Sequence, residues 1–65
     1  MLTYIDYAEH PGLAKRKSDA LENKFPENRF VMRFSSPGYA LDIYVIDDNS
    51  ILNIYDMVKL SRSTQ

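Results

Sequence analysis

Phe30, Met32 and Phe34 alternate with Val31 and Arg33, and Leu41, Ile43 and Val45 alternate with Asp42 and Tyr44. A period of two puts every second side chain on one face, so both runs read as half-buried strands. Between them, Ser36-Pro37-Gly38-Tyr39 suits a type II turn, with Pro37 fixing φ at the second position and Gly38 supplying φ > 0 at the third. A third run carries Leu52, Ile54, Val58 and Leu60, and is reached through Asp47-Asp48-Asn49-Ser50, residues that bond their own backbone in turns. Asp56 interrupts the inward set of that run and reads as a bulge or a change of register. The pattern predicts an α+β fold on a three-stranded antiparallel meander, with strands at about 29–35, 39–47 and 51–60.

Upstream, Leu13 to Phe25 reads as an amphipathic helix covering about 12–25, with Leu13, Ala20, Leu21 and Phe25 on one stripe that Arg16 and Lys17 dilute. Pro11 fits its first turn, and Pro26 ends it by pushing Phe25 out of the helical region. Residues 2–8 admit two readings. Period two sets Thr3, Ile5 and Tyr7 against Leu2, Tyr4 and Ala8; the helical reading pairs Thr3 with Asp6 at capping-box spacing. Tyrosine and isoleucine content favours a strand added at a sheet edge. The expected core is Leu13, Ala20, Leu21, Phe25, Phe30, Met32, Phe34, Leu41, Ile43, Val45, Leu52, Ile54, Val58 and Leu60.

The 65 residues allow one small domain, 1–65, and no cysteine is present to form a disulfide or a thiolate metal site. A chain of this size buries only ~60% of the surface its unfolded form exposes, so burial against a second copy or a partner would add stability. With 45% hydrophobic and 26% charged residues the composition is globular rather than disordered. The formal net charge of −1 does not favour polyanions. No apolar stretch reaches the roughly 20 residues of a membrane span, and Met1 is followed by no basic and apolar leader pattern. The expectation is a cytoplasmic protein with no membrane partner.

Charge is distributed unevenly along the chain. Lys15, Arg16, Lys17, Lys24, Arg29 and Arg33 fall in the helical half; Asp42, Asp47, Asp48 and Asp56 follow without a basic residue among them. Lys15, Arg16 and Lys17, joined by Arg29 and Arg33, form the candidate nucleic-acid contact, which would be salt-dependent. Three adjacent cations with Asp19 and Glu22 beside them also describe an ordinary solvated helix face.

A second candidate lies on the outward side of the expected meander, where Tyr44, Ile46, Ile51, Tyr55 and Met57 share parity. A sheet apolar on both faces needs a cover on each, and one helix covers one. Tyrosines suit protein interfaces, offering large contact area at low entropic cost. The leading expectation is therefore a non-enzymatic protein-interaction module, a homo-oligomer or a small regulator of a larger protein, with weak nucleic-acid binding as the alternative.

Catalytic signatures are thin. His10 is the single histidine and stands beside Pro11, where loop or helix-cap chemistry accounts for it. Asp47-Asp48-Asn49 lacks the spaced ligands, central glycine and terminal glutamate of a calcium loop. Ser35 and Ser36 have no nucleophile-elbow pattern, and Gly12 and Gly38 are too few for a phosphate loop. No catalytic residue, metal or cofactor is expected.

Overall fold

In a computed structural model describing residues 1–35, 38–46 and 53–65, the chain runs β1 (Leu2–Ala8), α1 (Pro11–Lys24), β2 (Phe30–Phe34), β3 (Leu41–Ile46) and α2 (Ile54–Ser63). The α+β class, the three-stranded antiparallel sheet, the main helix, the N-terminal strand and the first two strands of the expected meander agree with the sequence reading. Strand order is β1-β3-β2: β2 and β3 form a hairpin, and β1 pairs with the other side of β3. The third strand is thus residues 2–8. Residues 54–60, expected as strand, belong to α2.

Helical spacing explains that correction. Ile54, Met57, Val58 and Ser61 recur at three- and four-residue intervals and turn inward together, Met57 and Ser61 being fully buried. Asp56 marks no bulge; it sits in the first turn of α2, where a carboxylate suits the helix dipole, and accepts a hydrogen bond from Asn53 Nδ2 at 2.6 Å. The Asp47–Ser50 turn, Ile51 and Leu52 lie outside the described residues, as do Ser36 and Pro37. Gly38 has φ 109°, the sign expected of it.

The N-terminal strand carries a bulge that resets its faces. Tyr4 opposes Tyr44 and Asp6 opposes Ile43, so Ile5 is the extra residue. Uniform alternation would place Asp6 and Ala8 with Tyr4. Instead Ile5, Asp6 and Ala8 all turn toward the helices, while Tyr7 joins Leu2 and Tyr4 on the opposite side, as the register and burial show. The bulge therefore creates both an aromatic outer row and an inward carboxylate.

Both helices lie on the same side of the sheet. Ile5, Leu21, Ile43, Val45 and Met57 form the main core, with Phe25, Phe30, Ile54, Val58 and Leu60 packed around it. Ala8, Ala14 and Leu41 form a second cluster with Leu13 against it. Between these clusters along both β1 and α1 lies a polar strut. Lys17 Nζ donates to Asp6 Oδ2 at 2.8 Å and to the Ser61 carbonyl at 2.6 Å, and Ser61 Oγ donates to the same Asp6 oxygen at 2.5 Å. Three described members of the expected core stand outside both clusters: Ala20 is half-buried on α1, and on the edge strand β2 Met32 is 40% exposed and Phe34 69% exposed.

Candidate interaction surface on the open sheet face

The face turned away from the helices is a grid of cross-strand rows. Tyr4, Tyr44 and Val31 form the middle row across β1, β3 and β2; Tyr7, Asp42 and Arg33 form a second. Leu2 and Ile46 form the third, bordered by Arg29, whose carbonyl accepts the Ile46 amide at 2.8 Å. No element among the described residues covers this grid, and Leu2, Tyr4 and Tyr7 are 38%, 52% and 47% exposed.

Aromatic geometry orders its centre. The Tyr4 and Tyr44 rings meet edge to face, with centroids 5.9 Å apart and planes at 75°. The Arg33 guanidinium stands 5.9 Å from the Tyr44 centroid, a cation–π distance. Burial, reinforced by Asp42, Asp6 and Tyr44 and opposed by Arg62, raises the Tyr4 pKa above its ordinary value. The surface thus combines apolar area, two coupled rings and a neutral hydroxyl, with cations along the β2 border.

The predicted interface residues divide. Tyr44 and Ile46 lie on this face. Tyr55 is on α2, 71% exposed beneath Lys59, whose Nζ is 5.2 Å from its ring; it cannot join Tyr44 in a platform. Met57 belongs to the core at 0% exposure, on the side opposite to the one expected. Ile51 lies outside the described residues. Leu2, Tyr4 and Tyr7, absent from the sequence-derived set, supply the missing strand of the surface. Their signal was the outward parity of Leu2 and Tyr4; the bulge hid Tyr7.

The predicted cations are dispersed as well. Lys17, expected on a solvated face, is buried at 6% exposure because it neutralises Asp6. Lys15 pairs with Asp19 at 3.3 Å, and Arg16 Nε donates to the Gln65 carbonyl at 3.2 Å. Arg33 projects from the open face, with the sheet between it and α1. The five cations do not form one patch.

Other polar groups are engaged in structure. His10 caps α1, its Nδ1 accepting the Leu13 amide at 3.1 Å. A cleft of about 390 Å³ at the end of β1 includes Glu9, Arg16, Lys17 and Arg62, but Lys17 and Arg16 are held as described. Among the described residues no three of His, Cys, Asp or Glu are placed to hold a metal ion, and no helix is long and apolar enough to cross a membrane. Comparison of the chain with protein-family models, with curated proteins and with solved structures gives no match.

Proposed function

We propose that this chain is a non-enzymatic protein-interaction module, a small regulator that receives one amphipathic helix of a larger protein on its open sheet face. The observation that carries the reading is the row of Tyr4, Tyr44 and Val31, flanked by Leu2 and Ile46, which no element among the described residues covers, both described helices packing on the other side of the sheet. Three strands span about 10 Å, the diameter of a single helix with its side chains. A helix is also the layer that most simply completes a one-sided sheet. Arg29 and Arg33 along the β2 border favour a partner stripe edged by acidic residues. Engagement of His10 in a helix cap and full burial of Ser61 support the non-enzymatic reading.

A photo-crosslinking phenylalanine analogue in place of Tyr44, compared with one in place of Tyr55, tests this in extracts of the source cell. The expected result is a product specific to the Tyr44 position, mapping by mass spectrometry to an apolar helical stripe of one protein. Identical products from both positions, or undiminished binding of the purified partner to Tyr4→Lys, would end the proposal.

A further inference from the structure

The two edges of the sheet are protected to different degrees. On β1 the bulge at Ile5 disrupts the ladder, one of the devices by which edge strands avoid unwanted pairing. On β2 the register against β3 is unbroken over all 5 residues, with no proline and one cation, Arg33. Its helix-facing side chains Met32 and Phe34 remain exposed at 40% and 69%.

Hydrogen-bond parity identifies what the β2 edge offers. The Arg29 carbonyl accepts the Ile46 amide and the Ser35 amide donates to the Ala40 carbonyl, each at 2.8 Å. Residues of that parity point their backbone groups at β3. In an antiparallel ladder the alternate residues point the other way, so Phe30, Met32 and Phe34 direct N–H and C=O outward from the edge.

We propose that β2 pairs antiparallel with β2 of a second copy of this chain, about a two-fold axis at Met32, making one continuous six-stranded sheet. The strand Phe-Val-Met-Arg-Phe is close to a palindrome about its centre, which is what an isologous contact requires. Met32 opposes Met32 of the second copy, and each Phe30 opposes a Phe34. These are the residues with outward backbone groups, so side-chain match and hydrogen-bond parity select the same register. Each such pair exchanges two hydrogen bonds, about six in all. On the helix side the contact joins two Phe pairs and a Met pair. On the open side Arg33 faces Val31, not another Arg33, and retains Asp42 as its neighbour on β3. The open faces of the two copies then lie side by side, so the dimer leaves the helix-docking surface free. This inference stands independently of that surface.

Sedimentation velocity from micromolar to millimolar protein, with Met32→Lys and Met32→Cys, tests it. Wild type is expected to show a monomer–dimer equilibrium. Met32→Lys sets two like charges across the axis and weakens dimerisation at least about tenfold. Phe34→Lys, at the more exposed position, repeats the test should Met32→Lys fail to fold. Opposed Cα atoms in this register are about 5.5 Å apart, within disulfide reach. Oxidised Met32→Cys should therefore cross-link far faster than Lys24→Cys in this otherwise cysteine-free chain. Tyr4→Ser leaves the dimer unchanged, separating this contact from the open face. Wild type monomeric at millimolar concentration, a dimer indifferent to both lysine variants, or cross-linking of Met32→Cys no faster than Lys24→Cys would overturn the assignment.

Discussion

Lys17 Nζ lies 2.8 Å from Asp6 Oδ2, joining the middle of α1 to the inward side of the β1 bulge, with Ser61 of α2 hydrogen-bonded to both. Three elements meet at one buried ion pair. Removing one partner strands the other in a low-dielectric site, which costs about 3–5 kcal/mol. Asp6→Ala is therefore expected to lower unfolding free energy by about 3 kcal/mol, since it leaves the Lys17 ammonium with the Ser61 carbonyl alone. The double variant Asp6→Leu/Lys17→Met removes both charges and recovers most of that loss. Urea unfolding of the single and double variants measures it; equal losses in both would deny the pair its coupling.

Acid sensitivity follows from the same contact. Burial pushes the Asp6 carboxyl up, but hydrogen bonds from Lys17, Ser61 and the Tyr7 amide, with the Lys17 charge, outweigh it and hold the pKa below its ordinary 3.8. A group depressed in the folded state binds its proton more readily when unfolded. Its stabilisation is thus complete above 3.8 and is lost as pH falls through the folded value. Unfolding midpoints should be flat in this respect near neutral pH and fall below about pH 4, with part of that fall absent from Asp6→Asn.

Met57 and Tyr55 separate the helical and extended readings of the C-terminal segment. In the structure Met57 is fully buried against Ile5 and Ile43, and Tyr55 is 71% exposed. Met57→Ala should cost about 2–5 kcal/mol through lost burial and a residual cavity. Tyr55→Ala should stay within about 0.5 kcal/mol. Thermal or urea unfolding decides between them, and a Met57→Ala loss no greater than that of Tyr55→Ala would contradict the placement of α2.

How much of this was legible in the chain depended on whether one period dominated. Val31 to Phe34 and Leu41 to Val45 admit period two alone, and both emerged as strands close to their observed bounds. The segment after Asn53 satisfies two periods: Ile54, Val58 and Leu60 alternate, while Ile54, Met57, Val58 and Ser61 follow a helix. The Asn53 to Asp56 spacing was the discriminating signal, a helix start read as a strand defect. Burial of Lys17 was hidden for a different reason. Its partner Asp6 faces inward through a bulge that sequence alternation does not reveal. Of the residues whose outward parity predicts a shared face, Tyr44 and Ile46 lie on the open face and Tyr55 and Met57 belong to α2, while β1 adds Leu2, Tyr4 and Tyr7.

Tyr4 and Tyr44 test whether that face is organised before any partner arrives. Their edge-to-face contact joins the N-terminal edge strand to the central strand on the solvent side, away from the core. Aromatic pairs of this geometry carry about 0.5–1.5 kcal/mol beyond burial. A double-mutant cycle with Tyr4→Leu and Tyr44→Leu, which keep apolar bulk, should give a coupling energy in that range. The Tyr44→Leu step also removes the ring beneath Arg33, so Arg33→Gln serves as a second cycle against Tyr44, expected at about 0.5–1 kcal/mol for a solvent-facing cation–π contact. Coupling in both cycles would mean that the three side chains hold one another in place across β1, β3 and β2. A rigid surface of that kind loses less conformational entropy on binding, which is the advantage the open face needs in so small a domain. Zero coupling in the first cycle would make the rings independent and remove that advantage.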